Sequence, residues 1–149
     1  MFESCLAKQE KMKELLLTCE TEEARYEKLI EMGRELPKLT SMQKIPSNMV
    51  KGCQSQMYLC ATANDNTINF EAEADALISA GLAALLIQVY SGESPEVVLK
   101  CPPTFIEELG INTSLTPSRA NGLYSLHLQM KQEALRLLVE SNNRLHSFD

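Results

Sequence analysis

The sequence predicts an α+β domain in which one small antiparallel sheet is packed by helices. Three observations predict it. Two strand-forming runs flank the turn sequence NDNT, apolar residues recur at helical spacing on either side of them, and no internal repeat, low-complexity segment or second domain interrupts residues 1–149.

In chain order, Phe2, Leu6, Leu15 and Leu16 lie among many charges and read as a helix ending near Thr18. Thr21, followed by Glu22 and Glu23, reads as the start of a second helix, with a hydroxyl cap and acidic residues in the first turn. Its stripe is Tyr26, Leu29 and Ile30; Gly33 serves as a stop signal, with Pro37 just beyond. Between Pro37 and Pro46 the chain is polar and reads as a loop. Residues 56–62 then suit a strand, and Ile68 and Phe70 alternate with polar neighbours after NDNT, which completes a hairpin. Asp75 is placed to cap the helix ALISAGLAALLIQVY, whose apolar character on most faces predicts a central, buried position. Short helices follow Pro95 and Pro103. Thr116-Pro117 opens a long last helix with the stripe Leu123, Leu126, Met130, Leu137 and Leu138. Asn121-Gly122 also fits a hairpin turn, but the period after it is helical.

Composition narrows the function classes. At 44% hydrophobic and 23% charged the chain has a globular balance, so disorder is excluded as an overall description. A net charge of −6, no tryptophan and no basic run interleaved with aromatics argue against nucleic acid. The N-terminal MFESCLAKQEK has no basic region ahead of an apolar run, so no signal peptide is expected. The apolar stretch 76–87 falls short of the roughly 20 residues that span a bilayer. A soluble, cytoplasmic protein without membrane contact is the expectation.

Cysteines at 5, 19, 53, 60 and 101 are odd in number and contain no CxxC pair. Neither a disulfide framework nor a closed zinc site fits, and free thiols in a reducing compartment do. Cys53 differs from the other four. It follows Gly52, precedes polar Gln54, Ser55 and Gln56, and sits where a loop displays a reactive group. From composition alone, the start of a strand is an equal reading.

The reactivity such a thiol could gain by pKa tuning is small. Lowering a pKa of about 8.5 to about 7 raises the thiolate fraction about fifteen-fold at neutral pH. Nucleophilicity falls about five-fold over the same range, leaving a net gain of about three-fold. Orienting the sulfur beside a partner's sulfur contributes up to roughly 7–11 kcal/mol. The thiol is therefore expected to work inside a docked complex.

GCQSQMY at 52–58 resembles the GCQSQVW signature of the SufE sulfur-acceptor proteins. The likeness continues through YEKLIEMGRELPKL at 26–39, ADALISAGLAALL at 74–86 and LTPSRANGL at 115–123, in the family's order and spacing. The resemblance implies an α+β fold shared with IscU-type iron–sulfur scaffolds. It implies that Cys53 attacks the persulfide of a SufS-type cysteine desulfurase, carries the sulfur and passes it to a SufBCD-type scaffold, stimulating the desulfurase. The chain would be an accessory protein rather than an enzyme and would bind no cofactor, the pyridoxal phosphate belonging to the desulfurase. A weak homodimer stays open.

Other positions carry over residue by residue. Arg119 in TPSR matches the family's arginine beside the desulfurase-facing surface, and would pair with a carboxylate there or with the persulfide; a solvated first-turn residue is the alternative. Asp75 matches the second aspartate of the family's GDSDA, although a capping role explains it fully. Gln54 and Ser55 would shape the loop, and Lys51 would be a solvated or partner-facing charge. GDSD becomes AEAD at 72–75, Tyr58 replaces tryptophan and Ala120-Asn121 replaces a Ser-Gln pair, which bears on the partner more than on the chemistry. The other cysteines are expected to pack as small hydrophobes. His127, on a helix between two leucines, reads as a surface or edge residue. An iron–sulfur scaffold is the alternative function, and a thiol peroxidase a weaker one.

Overall fold

The computed structural model describes residues 1–53 and 55–147. Helix α1 (Glu3–Leu17) ends at Thr18, as its pattern predicts. Helix α2 (Glu22–Arg34) begins at Thr21, whose hydroxyl accepts a hydrogen bond from the Ala24 N–H at 3.0 Å. The polar loop after it ends in a 3-10 turn, Pro46–Asn48. Strands β1 (Met57–Asn64) and β2 (Thr67–Ala74) pair antiparallel from Met57 opposite Ala74 to Asn64 opposite Thr67. Their turn rests on Asp65, whose φ of 56° suits an aspartate.

Helix α3 (Leu77–Tyr90) is the centre of the molecule: α1, α2 and β2 pack against it. Short helices α4 (Pro95–Lys100), α5 (Thr104–Glu108) and α6 (Ile111–Ser114) lead to α7 (Pro117–Ser147), which also reaches α3 and lies along α4 and β1. The core joins Ile68 and Phe70 of β2, Leu82, Leu85 and Val89 of α3, and Leu123, Leu126 and Met130 of α7.

Two expectations need correction. Gly33 does not stop α2, which runs on through Arg34. Its role is close packing, because a Cβ there would lie 2.6 Å from the Gly81 nitrogen, and one on Gly81 only 2.2 Å from the Leu29 carbonyl oxygen. The glycines let two helix backbones approach where no side chain fits. Asp75 does not cap α3 either. Its N–H donates to the Gln56 carbonyl at 3.1 Å, prolonging the hairpin by one residue, so the cap position falls on Ala76. Alanine offers no oxygen, and the first turn of α3 has no side-chain cap. Helix α6, after Gly110 at φ 68°, and a bridge between Met49 and Tyr58 are features the sequence reading did not contain.

Candidate functional site

The Met49–Tyr58 bridge and a 2.8 Å hydrogen bond from the Val50 N–H to the Met57 carbonyl close the base of a loop over residues 51–56. Gly52, at φ 90°, makes the turn that a side chain would strain. Lys51 and Gly52 are exposed, whereas Cys53 is half-buried, its side chain folded back under the loop. The Cys53 Sγ–H donates to the Gly122 carbonyl of α7 at 3.9 Å. Across the loop, the Ser55 hydroxyl donates to that of Ser79 in α3 at 3.4 Å. Gln54 lies outside the described residues.

These contacts seat the sulfur at the edge of a cavity of about 250 Å³. Ser55 and Met57 line one side, Ala76, Ser79 and Leu82 of α3 a second, and Thr116, Ser118, Arg119 and Gly122 a third. The first turns of two helices therefore border the same space. Helix N-termini carry partial positive charge, and the N-cap residue of α3, Ala76, supplies no side-chain cap to its own. Arg119 adds a full positive charge at the rim; it is exposed, and no carboxylate pairs with its guanidinium among the described residues. Thr116 caps its helix, its hydroxyl accepting from the Arg119 N–H at 3.4 Å. Burial holds the Cys53 thiol above its ordinary pKa. The resting sulfur is thus a neutral thiol next to space suited to an anion.

Of the residues singled out from sequence, Cys53, Ser55 and Arg119 line one cavity. Lys51 and Gly52 belong to its loop, and Asp75 is exposed beside it, away from capping geometry. Ser79 and Gly122 were not foreseen; a glycine inside a helical pattern was the available signal. His127 is half-buried at the edge of the core. Its ring stacks on Tyr90 with centroids 5.5 Å apart, and burial lowers its pKa to about 4. Its Nε2 has no hydrogen-bond partner among the described residues. Cys5, Cys60 and Cys101 are buried and Cys19 half-buried. No group of three or more His, Cys, Asp or Glu side chains among the described residues could hold a metal ion.

The SufE family profile, described as an Fe–S metabolism associated domain, matches residues 10–134. The chain belongs to the SufE family. An uncharacterised SufE-like protein of Synechocystis is 40% identical over 111 residues, covering 74% of this chain and 70% of that one. A SufE-like protein of Rhizobium meliloti, also uncharacterised, is 34% identical over 117 residues, 75% of this chain and 84% of that one. SufE-like protein 1 of Arabidopsis thaliana, described as chloroplastic/mitochondrial, is 38% identical over 118 residues; the match spans 78% of this chain and 32% of the plant protein. The solution structure of a hypothetical protein from Thermus thermophilus shares the fold, with a TM-score of 0.74 at 25% identity over 89% of this chain and 96% of that one. Membership in the SufE family gives the chain a role in iron–sulfur metabolism. No described helix is long and apolar enough to cross a membrane.

Proposed function

We propose that this chain accepts sulfur from a SufS-type cysteine desulfurase onto Cys53 and delivers it to a SufBCD-type scaffold, stimulating the desulfurase by clearing its persulfide. The observation that carries the reading is the seat of Cys53. In a SufE-family chain the motif cysteine lies on a loop, half-buried beside a cavity bordered by two helix N-termini and Arg119.

The transfer balances without an outside oxidant or reductant. The Cys53 sulfur attacks the outer sulfur of the desulfurase persulfide, a new Sγ–S bond forms, and the S–S bond on the desulfurase breaks. The proton leaving Cys53 neutralises the departing desulfurase thiolate. The product on Cys53 is a persulfide, more acidic than the thiol and so anionic in neutral solution. That is the charge for which the first turns of α3 and α7 and the Arg119 guanidinium are suited. The free protein keeps its thiol neutral by burial. A docked partner both lifts the loop and aligns the sulfurs, which is where the larger rate gain lies. Lys51 and Arg119 face the partner, and Ser55 fastens the loop to α3. The pyridoxal phosphate belongs to the desulfurase, and the reaction takes place in the cytoplasm.

The scaffold alternative needs convergent ligands, and Cys53 is the only thiol among the residues lining this cavity. To test the acceptor reading, the protein is incubated with a cysteine desulfurase and cysteine, and intact mass is taken before and after reductant. Wild type gains one reductant-labile sulfur and Cys53→Ser gains none. A gain that survives the substitution refutes the assignment.

A further inference from the structure

Glycine in a helix interior is unfavourable, because the unfolded chain loses most freedom there and no side chain packs in return. Gly122 nevertheless stands within α7, more than a turn past its start at Pro117, and is buried. Its surroundings give the reason. Among the described residues outside its own stretch of helix, a Cβ on Gly122 would meet one neighbour within 4 Å, the Cys53 sulfur at 3.3 Å. Contacts this tight force the neighbour to yield by a few tenths of an ångström. The gap in the helix surface is thus occupied by the thiol itself, which also donates to the Gly122 carbonyl at 3.9 Å. One turn further on, Ser125 meets the same loop: a Cβ on Gly52 would lie 2.6 Å from its hydroxyl oxygen.

We propose that Gly122 is a positioning residue for the resting thiol: the missing side chain in α7 forms the seat that holds the Cys53 sulfur under its loop until a partner lifts it. The assignment rests on the acceptor reading above. The seat acts before and after loading in different ways. The thiol fills the gap and gives its hydrogen to the carbonyl. Once a Sγ–S bond replaces the Sγ–H bond, the carbonyl has lost its donor, and the added sulfur, about 2 Å further out, extends from the seat toward the cavity rather than into the helix. Seating therefore favours the unloaded thiol and leaves the loaded sulfur free to depart.

The test compares wild type with Gly122→Ala and Gly122→Leu in the full chain. Alkylation of Cys53 by iodoacetamide is followed by mass across pH, and sulfur uptake from a cysteine desulfurase is measured alongside. A displaced sulfur is more accessible and less desolvated, so alkylation at neutral pH rises about three-fold or more in Gly122→Ala, and its pH profile moves to lower pH. Sulfur uptake rises as well, by about three-fold, because the docked partner no longer has to lift the sulfur from its seat. Alanine favours the helix more than glycine does, so thermal stability is not lowered, which separates a lost seat from general damage. The leucine variant enlarges both changes; if it does not fold, the alanine variant decides. Alkylation and uptake both at wild-type values in Gly122→Ala overturn the assignment. Wild type that takes up no sulfur, while Gly122→Ala still speeds alkylation, overturns the acceptor role and leaves only a steric contact.

Discussion

Two thiol environments in this molecule share one chemical trend and differ in everything that would let a thiol react. Cys5 and Cys101 lie almost fully buried around Gln9, whose side-chain amide stands 3.7 Å from each sulfur. The same amide donates to the Pro102 carbonyl at 3.0 Å, and its oxygen accepts from the Thr104 hydroxyl and the Phe105 N–H. Burial pushes Cys5 up to about 12. Burial raises Cys53 too. The difference is mechanical. The first pair is locked between α1 and the α4–α5 junction by a side-chain network, whereas Cys53 hangs from a short loop whose side chains are fastened, among the described residues, by one long S–H contact and one hydroxyl pair. On the proposed function, reactivity follows from which sulfur can be lifted toward a partner, with pKa a secondary matter.

Breaking the comparison at Cys53 has the largest expected effect. Cys53→Ser loses all desulfurase-dependent sulfur uptake by mass, while urea unfolding shifts by less than about 1 kcal/mol, since the site is half-buried and loosely held. Breaking it at the other pole reverses the pattern. Gln9→Ala leaves the buried Phe105 N–H without its partner, while the Pro102 carbonyl keeps the Thr104 N–H, and costs about 1–3 kcal/mol in urea unfolding, with sulfur uptake per folded molecule unchanged. An intermediate effect is expected at the rim. Arg119→Ala lowers sulfur uptake about ten-fold by weakening attraction to an anionic sulfur or a partner carboxylate, yet leaves iodoacetamide alkylation of the free protein as it was.

The sequence reading succeeded where one local pattern decided the outcome. The Thr21 cap, the NDNT turn and Thr116-Pro117 each set an element through their own chemistry, and all three stand where the pattern puts them. It failed where a partner element decided. Asp75 has a capping side chain, but the hairpin claims its N–H and moves the cap to Ala76. Gly33 looks like a terminator and is instead half of a helix crossing with Gly81, a contact invisible until both helices are placed. At the site, Cys53 and Arg119 were legible through motif blocks, and the cavity they share was not, since Ala76, Ser79 and Gly122 are ordinary residues until α3 and α7 converge.

His127 gives the smallest effect and sharpens the contrast between buried groups that work and buried groups that only pack. Its pKa is lowered from 6.5 to about 4 by burial against Tyr90, with Lys131 adding to the shift. A base depressed on folding contributes stability above its unfolded pKa and loses it as pH falls toward the folded one. Stability in urea should therefore decline between pH 6.5 and about 4, and His127→Phe should flatten that decline without altering sulfur uptake at neutral pH.

The most direct test of the central claim is to locate the sulfur. After one turnover with a cysteine desulfurase and cysteine, persulfides are trapped by alkylation and the chain is digested for peptide mass mapping. The account predicts a trapped persulfide on the peptide holding Cys53 and plain alkylated thiols at Cys5, Cys19, Cys60 and Cys101. A persulfide on any of those four, or on none of the five, would contradict it.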